Sequence, residues 1–183
     1  MTTTYVALLR AINVGGRNLV RMADLRACLG GLGFAEAQTL LQSGNVVFRG
    51  PARSGASLES ALERAFAQRL DLVTEVFIRT SAEWRAHIRG NPFAKEATAD
   101  PGHLLLLPLK RAPTAAQVAA LRKAITGRER VSAKGRALYA VYPDGGGRSR
   151  LTIALIERHL DTRTTGRNWN TVGKLAALAA AEA

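Results

Sequence analysis

The sequence is short of the residue types that carry most familiar chemistry. It holds one cysteine, Cys28, in 183 residues, so no internal disulfide can form, and a reducing, cytoplasmic setting is expected. The three histidines, His87, His103 and His159, are too scattered for metal-ligand spacing. No metal and no cofactor is expected. There is no Gly-x-Ser-x-Gly nucleophile elbow. Carboxylates are few, 14 against 26 basic residues, and none falls in the loops singled out below, which leaves acid–base and two-metal schemes without evident groups. Aromatic residues make up 5% of the chain, too few for a long base-stacking platform. No apolar run reaches the ~18 residues of a membrane span. The first apolar run breaks at Arg10 and has no basic leader, so it reads as a strand rather than a signal peptide.

What is present is ordinary core material and an excess of positive charge. Hydrophobic residues make up 47%, and a chain of this length buries roughly 70% of its unfolded surface without a metal or disulfide staple. The formal charge is +12, and 21 of the 26 basic residues are arginine. Read functionally, such a surface attracts phosphate, nucleic acid or another polyanion. Read as composition, an arginine- and alanine-rich chain needs no such partner.

The stretch Leu8–Asn18 organises the rest: an apolar strand runs into a glycine-rich loop with Arg10, Asn13, Arg17 and Asn18. Tyr5 to Leu9 is apolar on both alternating faces, as a strand buried on both sides should be. Met22, Leu25, Leu29 and Leu32 then repeat at helical spacing. Two short runs flank Ser43-Gly44-Asn45, a hairpin signal. Leu58, Leu62, Ala65, Phe66 and Leu70 mark a second helix, and Val73 to Ile78 a fourth strand. Thr80 or Ser81 can cap a connecting helix that Asn91-Pro92-Phe93 ends, and residues 94–102 read as a polar linker. The plan then recurs: a strand at 103–109, a helix capped by Thr114, a hairpin around Lys134-Gly135-Arg136, a helix capped by Ser149, a short strand at 161–165 and a terminal helix. The expected fold class is α+β, with two ferredoxin-like (βαββαβ) units packed together and a C-terminal helix. The expected domains are residues 1–79, a connecting helix and linker over 80–102, and residues 103–183. Cys28, with no adjacent basic partner, reads as a small core residue.

In this plan the end of the first strand, the hairpin turn and the end of the fourth strand are expected to share one rim. That would gather Arg10 to Asn18, Gln42 to Asn45, and Thr80 with Ser81. In the second unit it would gather Lys110, Arg111, Lys134 and Arg136 with Thr165 to Thr171. Glycine allows close backbone approach, and helix starts near Ser149 and Asn168 or Asn170 suit anions. Plainer readings stand beside these. Gly15-Gly16 can be a turn before a helix, Ser43-Gly44-Asn45 a hairpin turn, and Asn168-Trp169-Asn170 a cap with a packed tryptophan. Arg148 and Arg150 can be solvated.

The ordered motifs Leu8-Leu-Arg-Ala-Ile-Asn-Val-Gly-Gly-Arg-Asn18, Met22-Ala-Asp-Leu-Arg26, Gln42-Ser-Gly-Asn-Val-Val-Phe48, Asn91-Pro-Phe93, Arg148-Ser-Arg-Leu151 and Arg167-Asn-Trp-Asn-Thr171 resemble a widespread bacterial family, domain of unknown function 1697. The resemblance covers essentially the whole chain and implies two ferredoxin-like α+β units. It maps the family's motifs onto Arg10, Asn13, Gly15, Gly16, Asn18, Ser43, Gly44, Asn45, Arg148, Ser149, Arg167, Asn168, Trp169, Asn170 and Thr171. Two departures stand out. Ala11 replaces a usual glycine, so the backbone there need not be left-handed, and Leu40-Leu41 replaces a usual Tyr-Ile.

Three functions follow as expectations. The first is a binder of a phosphate-bearing ligand, nucleotide or nucleic acid. In it Arg10, Arg167 and Lys174 would neutralise charge, Asn13, Asn18, Asn45, Asn168 and Asn170 would donate hydrogen bonds, and Trp169 would stack on a base. The second is an enzyme on a small substrate with an amide-lined oxyanion pocket. The third is an interaction or dimerisation module. No membrane partner is expected.

Overall fold

The computed structural model describes residues 2–16 and 18–181; Arg17 lies outside them. The chain divides into two compact units, one running up to Ala86 and including the segment from Lys174 onward, the other His87–Gly173.

In the first unit the order is β1 (Thr2–Leu9), α1 (Met22–Gly30), β2 (Ala35–Leu40), β3 (Asn45–Pro51), α2 (Gly55–Leu70), β4 (Val76–Thr80) and the start of α3 (Ser81–Arg89). The strands form one antiparallel sheet in the order β2-β3-β1-β4. The doubly apolar β1 is central because both of its faces are buried. Tyr5, Ala7 and Leu9 face a core built with Leu25, Leu29, Leu58, Leu62 and Phe66 of the two helices. Val6 and Leu8 on the other face are fully buried as well. Thr80 caps α3 in a reciprocal box: its hydroxyl accepts from the Glu83 N–H, and the Glu83 carboxylate accepts from the Thr80 N–H.

The second unit repeats this order. The rest of α3 and α4 (Ala94–Ala99) precede β5 (Leu104–Pro108), α5 (Ala115–Ala124), β6 (Arg130–Lys134), β7 (Ala137–Val141), α6 (Ile153–Leu160), β8 (Arg167–Asn168) and the first turn of α7 (Trp169–Ala181), whose remainder, from Lys174, belongs to the first unit. The antiparallel sheet order is β6-β7-β5-β8. Leu107, Leu109, Leu138 and Ala140 pack on Val118, Leu121, Ile156 and Leu160. No helix among the described residues is long and apolar enough to cross a membrane.

The outer edge of β4 is closed by glutamates. The N–H groups of Val76, Ile78 and Thr80 donate to carboxylates of Glu63, Glu59 and Glu83, each at 2.8 Å. Glu59 and Glu63 are four residues apart on α2, ~6 Å of helix rise, close to the two-residue repeat of a strand, ~6.6 Å. Spare strand donors are thereby matched by spare helix acceptors, which removes a template for further pairing. Glu59 is also within 3.7 Å of Arg79, both side chains being buried. In the second unit Glu157 of α6 accepts from the Thr164 N–H at 2.9 Å.

Several expectations are corrected. The fourth strand is Val76–Thr80 rather than 73–78; Glu75 instead accepts the Arg10 N–H just beyond the end of β1. Residues 94–99 form a helix rather than a linker, as their three alanines allow. Thr152, not Ser149, caps α6 by accepting from the Leu155 N–H. The last strand is Arg167–Asn168, preceded by an isolated Leu109–Thr164 bridge, because the segment before it is held by Thr162 and Thr164 side-chain bonds to Arg111 and Pro108. Ala11, where the backbone was free to be left-handed or not, takes a left-handed φ of +49°.

The rim assignment also changes. An antiparallel neighbour starts where a strand ends: Leu9 pairs with Val76 and Tyr5 with Thr80. Thr80 and Ser81 therefore lie at the far end of the sheet from Arg10. In the second unit Leu105 pairs with Asn168 while Leu109 bridges Thr164. This parts Lys110, Arg111, Lys134 and Arg136 from Asn168–Thr171.

Candidate functional site

Three groups of the expected residues can be followed. In the first unit the described residues of the loop, Arg10 to Gly16 and Asn18, and Ser43 to Asn45 do meet on one rim. The Leu9 N–H donates to Gly44 O at 2.8 Å. The Asn13 amide nitrogen donates to Val20 O at 3.1 Å and to Gln42 O at 2.7 Å, while its oxygen accepts from the Val20 N–H. Asn45 is fully buried and donates to Leu40 O and Ser43 Oγ, both at 2.9 Å. A primary amide has two N–H donors, and in Asn13 and Asn45 both are spent on the protein. The expectation that these two would donate to a ligand, or line an oxyanion pocket, is corrected: they hold the loops. Asn18 donates to Ala11 O at 3.3 Å. Arg10 is paired with Glu75 at 2.9 Å. Gly15 and Gly16 have positive φ and open space where a Cβ would stand, so conformation is what calls for glycine there. Asn13 lines a cleft of about 730 Å³ with Leu19, Arg21, Asp24, Gln42 and Leu70.

The second group lies around Arg167. Its guanidinium donates to Thr165 Oγ1 at 3.0 Å and Gly166 O at 2.9 Å, and burial pulls its pKa down to about 10. Asn168 caps α7 through the Thr171 N–H at 3.0 Å. Trp169 packs against Tyr139, ring centroids 6.4 Å apart. Asn170 is exposed and Thr171 buried, and Lys174 is exposed. Cap and packed tryptophan describe this motif.

The third group is open to a ligand. β6 and β7 pair Arg130 with Val141, so the segments just outside their hairpin, 126–129 and 142–150, stand side by side. Between them is a cleft of about 340 Å³ lined by Arg128, Glu129, Asp144, Gly145, Arg148, Ser149 and Arg150. Gly145 takes a φ of +81° and turns the chain into the short helical turn Gly146–Arg148. Arg128 pairs with Asp144 at 2.9 Å. Ser149 donates to Glu129 and accepts from the Leu151 N–H, which fixes the loop against β6. Arg128, Arg148 and Arg150 are exposed. Among the described residues, no hydrogen bond or ion pair engages the guanidinium of Arg148 or of Arg150. The cleft thus carries two uncommitted cations on a glycine-rich loop. Arg128, Glu129 and Asp144 were not singled out from sequence; the signal that could have found them was the hairpin register itself. Among the described residues no cluster of three or more His, Cys, Asp or Glu could hold a metal ion.

The class defined by these elements is a mixed α+β protein with two four-stranded antiparallel sheets, each carrying helices between its strands. Within that class, the chain belongs to the family described as protein of unknown function DUF1697, whose profile matches residues 1–139. That match takes in the first-unit rim and ends inside β7, before Arg148. Among solved structures, the chain is similar to that of the conserved bacterial protein SP0830 from Streptococcus pneumoniae, at 24% identity, with a TM-score of 0.72 over 98% of this chain and 99% of that one. The likeness is one of fold. No curated protein matches the chain.

Proposed function

We propose that the protein binds a phosphate-bearing ligand in the cleft beside β6 and β7, with Arg148 and Arg150 as the phosphate-binding groups and Arg128 assisting. The observation that carries this reading is the pair of exposed, uncommitted guanidinium groups on a glycine-rich loop at the mouth of a cleft. Arginine offers a planar fork of donors that matches phosphate oxygens. Glycines at 145–147 let a ligand approach the backbone. A volume of about 340 Å³ is at the lower end of small-ligand sites, enough for a phosphate and its sugar. No aromatic side chain lines the cleft, so a base has no stacking partner there, and recognition falls on the phosphate backbone. A single-stranded nucleic acid is the ligand this favours, supported by the +12 charge of the whole chain. We read the two units as ferredoxin-like and the protein as cytoplasmic.

Binding of a fluorescein-labelled single-stranded RNA, followed by anisotropy over a series of salt concentrations, tests this. With two to three phosphate contacts the log–log salt slope should be roughly −1.4 to −2.1. Arg148→Ala/Arg150→Ala should weaken binding and flatten the slope to about −0.7 or shallower. Binding that is absent even at low salt, or unchanged in the double variant, refutes the assignment.

A further inference from the structure

Among the described residues, the strongly exposed large hydrophobics are Val14 at 64%, Leu19 at 69%, Leu41 at 57% and Val73 at 75%. All four lie on one rim of the first unit. Val14 and Leu19 are in the β1–α1 loop, Leu41 is in the β2–β3 turn, and Val73 leads into β4. Hydrogen bonds tie these segments together: Asn13 to Gln42 O at 2.7 Å, and the Thr74 hydroxyl to Arg10 O at 2.7 Å. Leu41 also holds a left-handed φ of +60°, where asparagine or glycine would sit more easily. Solvation and backbone preference both argue against leucine there, unless something covers it. The cleft of about 730 Å³ on this rim has Leu19 and Leu70 in its wall.

Charge identifies the cover. The chain carries +12, yet segments 10–24, 41–45 and 70–75 hold three arginines against three acidic residues. Two of those arginines are already paired within the rim, Arg10 with Glu75 and Arg21 with Asp24. A two-fold contact brings a patch against its own copy, so it must be self-complementary. A neutral, aliphatic rim meets that condition, whereas the strongly basic remainder of the surface would repel itself. A nucleic acid finds neither net charge nor an aromatic ring here. We propose that this rim is a homodimer contact, with Leu19 and Leu41 of one protomer packed on the same rim of its partner.

Sedimentation equilibrium of the whole chain tests this. The wild type should approach twice the 19.6 kDa chain mass at ~100 µM, a concentration at which a Kd of ~10 µM gives mostly dimer. The association should be nearly insensitive to salt, unlike one bridged by a polyanion. Leu19→Ser/Leu41→Asn should raise Kd by about tenfold or more, the size of a ~1.4 kcal/mol loss. Asparagine tolerates the left-handed φ at 41, so the variant should keep its circular dichroism and melting temperature; Leu19→Ser with Val73→Thr is the second variant, read the same way. A wild type that stays monomeric at ~100 µM, or variants that dimerise as the wild type does, overturns the proposal.

Discussion

Gly16 and Gly44 share a backbone conformation, with φ of +74° and +73°, but not a setting. A Cβ on Gly16 would meet nothing within 4 Å, whereas one on Gly44 would stand 2.7 Å from Leu9 Cβ and 2.8 Å from Ile12 Cδ1. Left-handed backbone costs an L side chain roughly 1–2 kcal/mol. Losing glycine's freedom in the unfolded chain returns ~0.4–1 kcal/mol. Gly16→Ala should therefore destabilise by about 1 kcal/mol. Gly44→Ala carries the same cost plus a clash. Leu9 Cβ is fixed to a central strand and Ile12 is buried, so neither can retreat cheaply, and overpacking adds ~1–3 kcal/mol. The expected total is about 2–4 kcal/mol. At ~2–4 °C per kcal/mol for a chain of this size, Gly44→Ala should melt at least a few degrees below Gly16→Ala. Urea unfolding followed by circular dichroism and tryptophan fluorescence gives both free energies, provided the two transitions coincide. Equal losses in the two variants would refute the close packing of the hairpin turn on Ile12.

Ala11→Gly relieves a φ of +49° in a non-glycine residue and should stabilise by ~0.5 kcal/mol after the unfolded-state entropy is counted, measurable in the same urea experiment. Glu59→Gln leaves an oxygen for the Ile78 N–H but takes the opposite charge from buried Arg79; it should cost about 3 kcal/mol, while Glu63→Gln, farther out, should cost less than ~1 kcal/mol. Burial raises the phenol pKa of Tyr139 and of Tyr142 to about 12, with Glu129 adding to the effect at Tyr142. A raised pKa stabilises the native state below the ordinary phenol value and loses that contribution as pH climbs from about 10 to about 12; phenolate absorbance should show two late-titrating groups, one lost in each of Tyr139→Phe and Tyr142→Phe.

The fold was legible where pattern and physics agree. Tyr5–Leu9 and Leu104–Leu107 are apolar on alternate faces, and both became central strands. Helical repeats such as Leu58, Leu62 and Phe66 placed the covering layer. What failed was geometry that letters do not carry. Which end of the sheet receives Thr80 depends on strand direction: β4 runs antiparallel to β1, so it starts with Val76 beside Leu9 and ends with Thr80 beside Tyr5. A cap needs the correct backbone turn as well as a hydroxyl, which Thr152 has and Ser149 has exchanged for a bond to Glu129. Asparagine side chains suit ligand donation. They suit loop closure equally, and only the hydrogen bonds of Asn13 and Asn45 distinguish the two uses. The letters point to Arg148, Ser149 and Arg150 but not to the opposite wall of their cleft, because Arg128 and Asp144 meet only through the β6–β7 register.

The most direct measurement is a crystal structure of the protein with a short single-stranded oligonucleotide. A phosphate within ~3 Å of the Arg148 and Arg150 guanidinium groups, its backbone following the 145–150 loop, is the predicted result. A nucleotide seated elsewhere, with both arginines still facing solvent, would contradict the account.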